Sequence, residues 1–303
     1  MAGEDNQSVV LVGGPDAGKT NFLGRLWMTL DSESGAIRKN GLPRDVEYLR
    51  GIAHSLNAGE FAQRTPPGVF ESTAIRVNWG QDSVGNLVVP DCAGEQWERI
   101  HREREWSTEW EQAVGTMTGC LVFFRGTSAH NVEPLDWSAD ADLMRCLAEG
   151  TNDEERRTTL PTQVILVDWL QCLSSAFREL RGTENPLRVS IVLSAWDLAP
   201  IECRDADPAG YLSRNLPLLD DFLAANQHLF SSKPFGVSIA GGELTANDTP
   251  FMKRFLEGDP AAQGYVVVGR NGSVSTSTDF TLPVAWAFGV ECPDFDAEST
   301  PQR

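Results

Sequence analysis

One short stretch near the start of the chain constrains its fold more than any other. Residues 13–20 read GGPDAGKT, which matches the pattern GxxxxGK followed by Ser or Thr. The run Ser8–Val12 before them is apolar, as in a parallel strand covered on both faces. After them Phe22, Leu26 and Leu30 recur at helical spacing. The sequence therefore predicts a buried strand, a glycine-rich loop and a helix in direct succession, an arrangement that cradles phosphate groups.

The chemistry of this loop predicts that it holds a nucleotide together with Mg²⁺. Its backbone N–H groups and the positive end of the helix dipole attract anions. The positive charge of Lys19 would lie beside the β- and γ-phosphates and so assist catalysis. The Thr20 hydroxyl is a hard oxygen ligand for Mg²⁺. We expect contacts to the nucleotide from Gly13, Gly14, Pro15, Asp16, Ala17, Gly18, Lys19, Thr20 and Asn21.

Composition limits the partners and the compartment of the chain. Of 303 residues 41% are hydrophobic, enough for the core of one large α/β domain with insertions or of two small domains. A formal net charge of −18 disfavours general binding to nucleic acid or to an anionic membrane surface. The six cysteines include no CxxC pair, as is usual for reduced thiols. With an acidic start and no apolar run long enough for a membrane span, the chain is predicted to be cytoplasmic.

Strands and helices alternate along the chain, which predicts a three-layer α/β fold with a mostly parallel sheet. Together with the GGPDAGKT loop this indicates the P-loop NTPase, Rossmann-like type. Two strand-like runs, 71–79 and 86–90, flank the turn 80–85 and predict a hairpin with one antiparallel edge strand. We expect a single domain over 1–303, with a surface insertion at about 126–160 and a loosely ordered tail at about 290–303. Further helices are predicted at 46–56, 95–117, 163–180 and 212–226, and further strands at 120–124, 188–193 and 235–239.

A second motif, Asp91-Cys92-Ala93-Gly94, comes directly after the predicted hairpin. It has the form DxxG and stands at the carboxyl end of a strand, where such sheets bind their ligands. Asp91 could hold Mg²⁺ through a water molecule, and Gly94 would bring its N–H close to the γ-phosphate. An aspartate in this position can also be a simple helix cap.

The order of phosphate loop, hairpin, DCAGEQW and SAWD resembles the TRAFAC class of P-loop GTPases. The resemblance implies that Asp197 accepts hydrogen bonds from N1 and N2 of guanine, which adenine cannot offer. Ser194 stands where the family has Asn or Thr, and Ala195 stands where it has Lys. Trp196 or a later side chain would then supply the stacking that the lysine provides. These departures leave ATP open as an alternative to GTP.

The same resemblance implies a fifth motif and a first switch. Ser238, Ile239 and Ala240 follow the last clear strand and would pack against the guanine. Thr65, in QRTPPG before the hairpin, would close on Mg²⁺ and the γ-phosphate. Thr73 is the rival for this role, but it falls within the predicted strand.

Many members of this class orient the attacking water with a glutamine directly after DxxG. This chain has Glu95 there and Gln96 one place later. Either the glutamate acts as base, or Gln96 is swung in, or turnover is slow until a partner completes the site. Asp16 lies at a loop position where members with Asn can hold a monovalent cation, so K⁺ is a candidate cofactor.

The segments between the motifs resemble those of large bacterial double-GTPase-like proteins of signalling and conflict (defence) systems. That resemblance implies a GTP-hydrolysing molecular switch that binds guanine nucleotide, releases GDP, and meets protein partners at its switch surfaces. Trp97, Trp106 and Trp110 follow DxxG and would serve such a surface if they are exposed, although packing on the sheet would explain them equally. Two alternatives stay open: an ATP-dependent ATPase or phosphotransferase, and a GTP-binding interaction module that does not hydrolyse.

Overall fold

The computed structural model describes residues 7–62, 73–80, 83–89, 108–134, 160–182, 185–200, 207–244, 249–259, 262–270 and 273–290. The strands are β1 (Ser8–Gly13), β2 (Arg38–Lys39), β3 (Thr73–Trp79), β4 (Ser83–Val89), β5 (Met117–Arg125), β6 (Leu187–Ser194), β7 (Phe230–Ser238), β8 (Tyr265–Arg270) and β9 (Ser273–Ser277). The helices are α1 (Lys19–Asp31), α2 (Val46–Asn57), α3 (Thr108–Thr116), α4 (Thr162–Arg181), α5 (Pro208–Asn215), α6 (Pro217–Ala225), α7 (Pro250–Glu257) and α8 (Leu282–Phe288), with a 3₁₀ turn at Trp196–Leu198.

Within these ranges the strands form one sheet in the order β2-β3-β4-β1-β5-β6-β7-β8-β9, and the run from β4 to β7 is parallel. Its strands are apolar on both faces, because Leu11 lies in one core cluster and Val10 in the other. A sheet buried on both faces needs helices on both. Helices α1, α2 and α8 cover the Leu11 face, and α3, α4, α5 and α6 cover the Val10 face. The predicted three-layer fold with a mostly parallel sheet is confirmed.

The hairpin predicted from the sequence is present, and it belongs to one of two antiparallel edges of the sheet. Strand β3 pairs with β4 from Thr73 opposite Val89 to Trp79 opposite Ser83. The turn is shorter than the predicted 80–85, because residues 83–85 already pair with the end of β3. The short strand β2 then pairs antiparallel with β3 and ends the sheet on this side.

At the opposite edge the sheet continues through two strands in a part of the chain where the sequence patterns are weak. Strand β8 pairs antiparallel with β7, and β9 pairs antiparallel with β8. The residues of β9 read SVSTS, and they are exposed or half-buried throughout. An edge strand without a buried face lacks the apolar alternation by which strands are recognised.

The single helix predicted at 212–226 is wrong, because two helices, α5 and α6, meet at Leu216. Pro217 has no backbone N–H to continue the first helix, whereas its fixed φ suits the first position of the second. The helix predicted up to Met117 ends at Thr116, where β5 takes over.

Parts of several predicted elements, in residues 63–72, 90–107, 135–159 and 291–303, lie outside the described ranges. Among the helices of the described ranges, none is both long and apolar enough to cross a membrane.

Candidate nucleotide-binding site

A cleft of about 340 Å³ opens at the carboxyl edge of the sheet, a size usual for small-molecule sites. It lies where β1, β5, β6 and β7 end, and these four strands are neighbours in the sheet. The cleft therefore brings three motifs together from distant parts of the sequence: the phosphate loop, SAWD and the segment after β7. Its lining residues are Asp16, Ala17, Gly18, Lys19, Thr20, Asn21, Phe61, Ala62, Arg125, Ser194, Ala195, Asp197, Leu198, Ile239, Ala240, Gly242 and Glu243.

The phosphate loop joins β1 to α1 as the sequence predicts. Gly18 has a φ of 93°, which is strained for any residue with a Cβ, and its carbonyl oxygen accepts a hydrogen bond from the N–H of Phe22 at 3.0 Å. The Lys19 ammonium folds back along the loop and donates to the carbonyl oxygens of Gly13 at 2.6 Å and Gly14 at 2.9 Å. Pro15 is exposed at the tip of the loop. The loop thus presents its cation and the start of a helix to the cleft.

Asp16 is the one loop residue whose charge opposes phosphate. Its φ is 58°, in the left-handed region that Asp tolerates better than most residues. One carboxylate oxygen accepts a hydrogen bond from Arg125 Nη1 at 2.9 Å, and the other accepts one from Ser128 Oγ at 3.1 Å. Arg125 is the last residue of β5, so the sheet itself delivers this guanidinium to the loop.

SAWD lies at the end of β6, against the back of the phosphate loop. The Ser194 hydroxyl donates to the carbonyl oxygen of Ala17 at 2.7 Å. Ala195 takes a left-handed φ of 52°, which turns the chain so that Asp197 and Leu198 line the cleft. A serine therefore connects SAWD to the phosphate loop, and Asp197 reaches the cleft as the sequence suggests.

The side chain of Trp196 lies in the core and not in the wall of the cleft. Its side chain is only 2% exposed and packs edge to face with Tyr211, at 5.3 Å between ring centroids. The ring also lies over Gly236 of β7, so closely that a Cβ at that glycine would come within 2.5 Å of it. Trp196 is not among the residues that line the cleft, because its neighbours in SAWD turn outward while its ring turns into the core. The stacking role predicted for it is not supported by this packing.

Two residues of the predicted fifth motif line the cleft, and the third is buried beneath them. Ile239 and Ala240 line the cleft, whereas Ser238 is fully buried and its hydroxyl accepts a hydrogen bond from the N–H of Gly241 at 2.9 Å. Arg25 of α1 donates from Nε to the carbonyl oxygen of Ile239. Burial of its guanidinium lowers the pKa of Arg25 to about 10, an effect that the charge of Asp259 partly offsets. Arg25 therefore connects α1, the helix that follows the phosphate loop, to the segment after β7.

Several residues that shape the cleft went unrecognised in the sequence. Phe61 lines the cleft and is 40% exposed, and its neighbour Ala62 donates from its N–H to the Asn21 side-chain oxygen at 2.9 Å. The predicted end of α2 near Gly59 could have pointed to Phe61 and Ala62, because the chain must return from there toward the hairpin. Arg125 and Arg25 carried no signal, because single arginines in apolar segments match no motif.

Five predicted site residues, Thr65, Asp91, Gly94, Glu95 and Gln96, lie outside the described ranges. Thr73, the rival of Thr65, is buried at the start of β3, opposite Val89. It is not among the cleft residues.

Similarity to solved structures is low. The signal recognition particle receptor SRb-GTP/SRX complex from Chaetomium thermophilum is 15% identical over 82% of this chain and 95% of that chain, with a TM-score of 0.34. Sup35 complexed with GDP is 12% identical over 78% of this chain and 38% of that chain, with a TM-score of 0.30. The signal recognition particle receptor SRb-GDP from Chaetomium thermophilum is 12% identical over 84% of this chain and 97% of that chain, with a TM-score of 0.30. Comparison with curated proteins gives no match.

A family model gives the assignment that these structures do not. The model of the family Double-GTPase 1 matches residues 10–287, from β1 to the last turn of α8. It spans the phosphate loop, SAWD and the segment after β7, which are the parts of the chain that meet at the cleft. The chain belongs to the Double-GTPase 1 family.

Proposed function

We propose that this chain is a single-domain GTP-binding and GTP-hydrolysing molecular switch, with the cleft as its nucleotide site. The observation that carries the proposal is the convergence of Lys19, Thr20 and Asp197 on one cleft. The first two suit a phosphate group and the third suits a guanine edge, so one nucleotide would engage both ends.

The phosphate end follows from elementary electrostatics. Backbone N–H groups of residues 16–20 and the N-terminus of α1 attract an anion, and the Lys19 ammonium adds a full positive charge. Lys19 is held by the Gly13 and Gly14 carbonyl oxygens. In the nucleotide complex we expect it to exchange these neutral acceptors for the β- and γ-phosphate oxygens, because charged acceptors bind an ammonium more strongly.

The donor set fits Mg²⁺ in part. Thr20 lines the cleft next to Lys19, and its hydroxyl is a hard oxygen of the kind that Mg²⁺ prefers. We propose Thr20 as one ligand, with Asp91 and Thr65 as further candidates from the sequence. When bound, Mg²⁺ would neutralise charge on the β- and γ-phosphates. K⁺ at Asp16 would share its carboxylate oxygens with Arg125 and Ser128, and the positive charge of Arg125 would disfavour a second cation there.

The base end favours guanine. A carboxylate accepts hydrogen bonds but donates none when ionised, so Asp197 pairs with the N1–H and N2–H donors of guanine and repels the lone pair at N1 of adenine. Leu198, Ile239 and Ala240 give this end apolar walls, and Phe61 adds an aromatic face. These contacts support GTP over ATP.

In hydrolysis a water molecule attacks the γ-phosphorus, the bond to the β-γ bridging oxygen breaks, and GDP and phosphate leave. Lys19 stabilises the charge that grows on the bridging oxygen. Glu95 or Gln96 would orient the water, and Thr65 and Gly94 would change position when the γ-phosphate departs. A slow intrinsic rate that a protein partner raises is part of this proposal, as are a cytosolic location and a role in bacterial signalling or defence.

The decisive experiment identifies the nucleotide that copurifies with the protein and compares wild type with Asp197→Asn. We expect guanine nucleotide in the wild type. In Asp197→Asn the affinity for guanine nucleotide should fall and that for xanthine nucleotide should rise, because an amide pairs with the xanthine O2. Asp31→Asn is the matched control, since Asp31 is 58% exposed and pairs only with Lys39 among the described contacts.

Two results would favour one of the alternative functions instead. Adenine nucleotide in the wild type, with no response to Asp197→Asn, would favour the ATPase or phosphotransferase alternative. Bound GTP that survives hours of single-turnover incubation with Mg²⁺ would favour the non-hydrolysing module. Phosphate release that Lys19→Ala abolishes would exclude that module.

A further inference from the structure

The phosphate loop carries a built-in electrostatic conflict. Asp16 lies within the loop and lines the cleft together with Lys19 and Thr20. A carboxylate in this position faces the same space as a triphosphate, and like charges in a partly desolvated cleft repel. Without compensation Asp16 would cancel much of the attraction that Lys19 provides.

The structure shows what compensates it. Arg125 Nη1 lies 2.9 Å from one carboxylate oxygen of Asp16, and the two side chains are about equally half-buried, at 30% and 29% exposed. The guanidinium is itself held, since its Nε donates to Thr127 Oγ1 at 3.3 Å. The following turn is held in the same way, because Asn131 donates from its side-chain amide to the Arg125 carbonyl oxygen at 2.8 Å. These hydrogen bonds therefore fix the position of Arg125 in the wall of the cleft.

We propose that Arg125 is a positioning residue for nucleotide binding: it neutralises Asp16 and fixes the left-handed turn of the phosphate loop. Its guanidinium supplies the positive charge that a monovalent cation would otherwise have to supply beside Asp16. The inference rests on the proposed function, since it assigns the charge balance of the same nucleotide site. Two consequences separate it from a merely structural ion pair: the loss of Arg125 should be repaired by removing the charge of Asp16, and binding should become sensitive to K⁺ only when Arg125 is absent.

The test measures the affinity of the full chain for fluorescent GDP at constant ionic strength, in K⁺ and in N-methyl-D-glucamine, for wild type, Arg125→Ala, Asp16→Asn and the double variant. We expect Arg125→Ala to weaken binding about tenfold, because the negative charge of Asp16 is then no longer neutralised beside the phosphates. The double variant should return to within about threefold of wild type, and Arg125→Lys should lie between, since it keeps the charge but not the planar fork. K⁺ should strengthen binding only in Arg125→Ala.

Arg188→Ala is the matched control, because it removes an arginine from the opposite end of the neighbouring strand β6, where the guanidinium lies over Trp286. It should bind nucleotide like the wild type. Melting temperatures establish that each variant folds.

Wild-type affinity in Arg125→Ala, or a double variant as weak as the single one, would overturn the inference while leaving the proposed function intact. A wild type that binds no guanine nucleotide at all would instead refute the proposed function. A K⁺ requirement in the wild type would also overturn the inference, because it would place a cation where the structure has Arg125.

Discussion

The hydroxyl of Ser194 donates a hydrogen bond of 2.7 Å to the carbonyl oxygen of Ala17, a residue 177 positions earlier in the chain. This contact connects the two ends of the nucleotide cleft, since Ala17 belongs to the phosphate loop and Ser194 begins SAWD. A change at either residue would alter the distance between the proposed phosphate and base contacts.

Ser194→Ala is therefore expected to weaken guanine nucleotide binding about fivefold, the loss of one hydrogen bond of about 1 kcal/mol. The matched control is Ser190→Ala on the same strand, because Ser190 is fully buried and donates to the Pro283 carbonyl oxygen, also at 2.7 Å. The control should lower the free energy of unfolding by about 1 kcal/mol and leave nucleotide affinity unchanged. Equal affinity in both variants would show that the Ser194 contact does not support the site.

Gly18→Ala should abolish tight nucleotide binding. Its φ is 93°, and an added Cβ would lie 2.9 Å from Ser194 Oγ, so both strain and collision act at the phosphate loop. Gly41→Ala separates the two effects, because Gly41 has a φ of 85° but nothing within 4 Å of the added Cβ. We expect Gly41→Ala to lose about 1 kcal/mol of unfolding free energy with normal binding, and Gly18→Ala to lose more than that and at least tenfold in affinity. Calorimetric melting and nucleotide titration check the pair.

We expect Phe61 to contribute to nucleotide binding and Trp196 to contribute to the stability of the fold. Phe61→Ala is expected to weaken nucleotide binding severalfold, since a base contact with an aromatic ring is worth about 1 kcal/mol, and to leave the melting temperature unchanged. Trp196→Ala should lower the unfolding free energy by about 3–5 kcal/mol, because the ring fills the core beside Gly236 and Tyr211. Trp196→Phe keeps most of that packing and should bind nucleotide normally. Weaker binding in Trp196→Phe than in Phe61→Ala, at equal melting temperature, would restore Trp196 as a base contact.

Cys120 should make the protein less stable at alkaline pH. Complete burial in β5 raises the pKa of its thiol from 9.0 to about 12. Between these values the unfolded chain releases a proton that the folded protein retains, so the thiol's contribution is present below pH 9 and is lost as the pH rises. We expect the unfolding free energy of the wild type to fall by about 1 kcal/mol per pH unit more steeply than that of Cys120→Ala. Urea titrations of wild type and Cys120→Ala at pH 8.5, 9.5 and 10.5 measure the difference, and equal slopes in the two proteins would contradict the prediction.

Much of the fold was predictable because local patterns report it. The apolar run of β1, the phosphate loop and the helical spacing of α1 are each legible in a short window of residues, and all three are confirmed. The break at Pro217 and the exposed edge strand β9 were not predicted, since the first interrupts an otherwise continuous helical pattern and the second has no buried face. The side-chain direction of Trp196 was missed for a related reason: a motif places a residue in a turn but does not say which way its ring points.

The sequence by itself determined the glycine-rich loop between β1 and α1, because GGPDAGKT carries its glycines, its lysine and its hydroxyl within eight consecutive residues. Only the tertiary structure decided what surrounds that loop. Arg125 meets Asp16 across 109 residues, and Arg25 meets Ile239 across 214. These contacts depend on which strand ends become neighbours in the sheet, and strand order is fixed by the packing of the whole core.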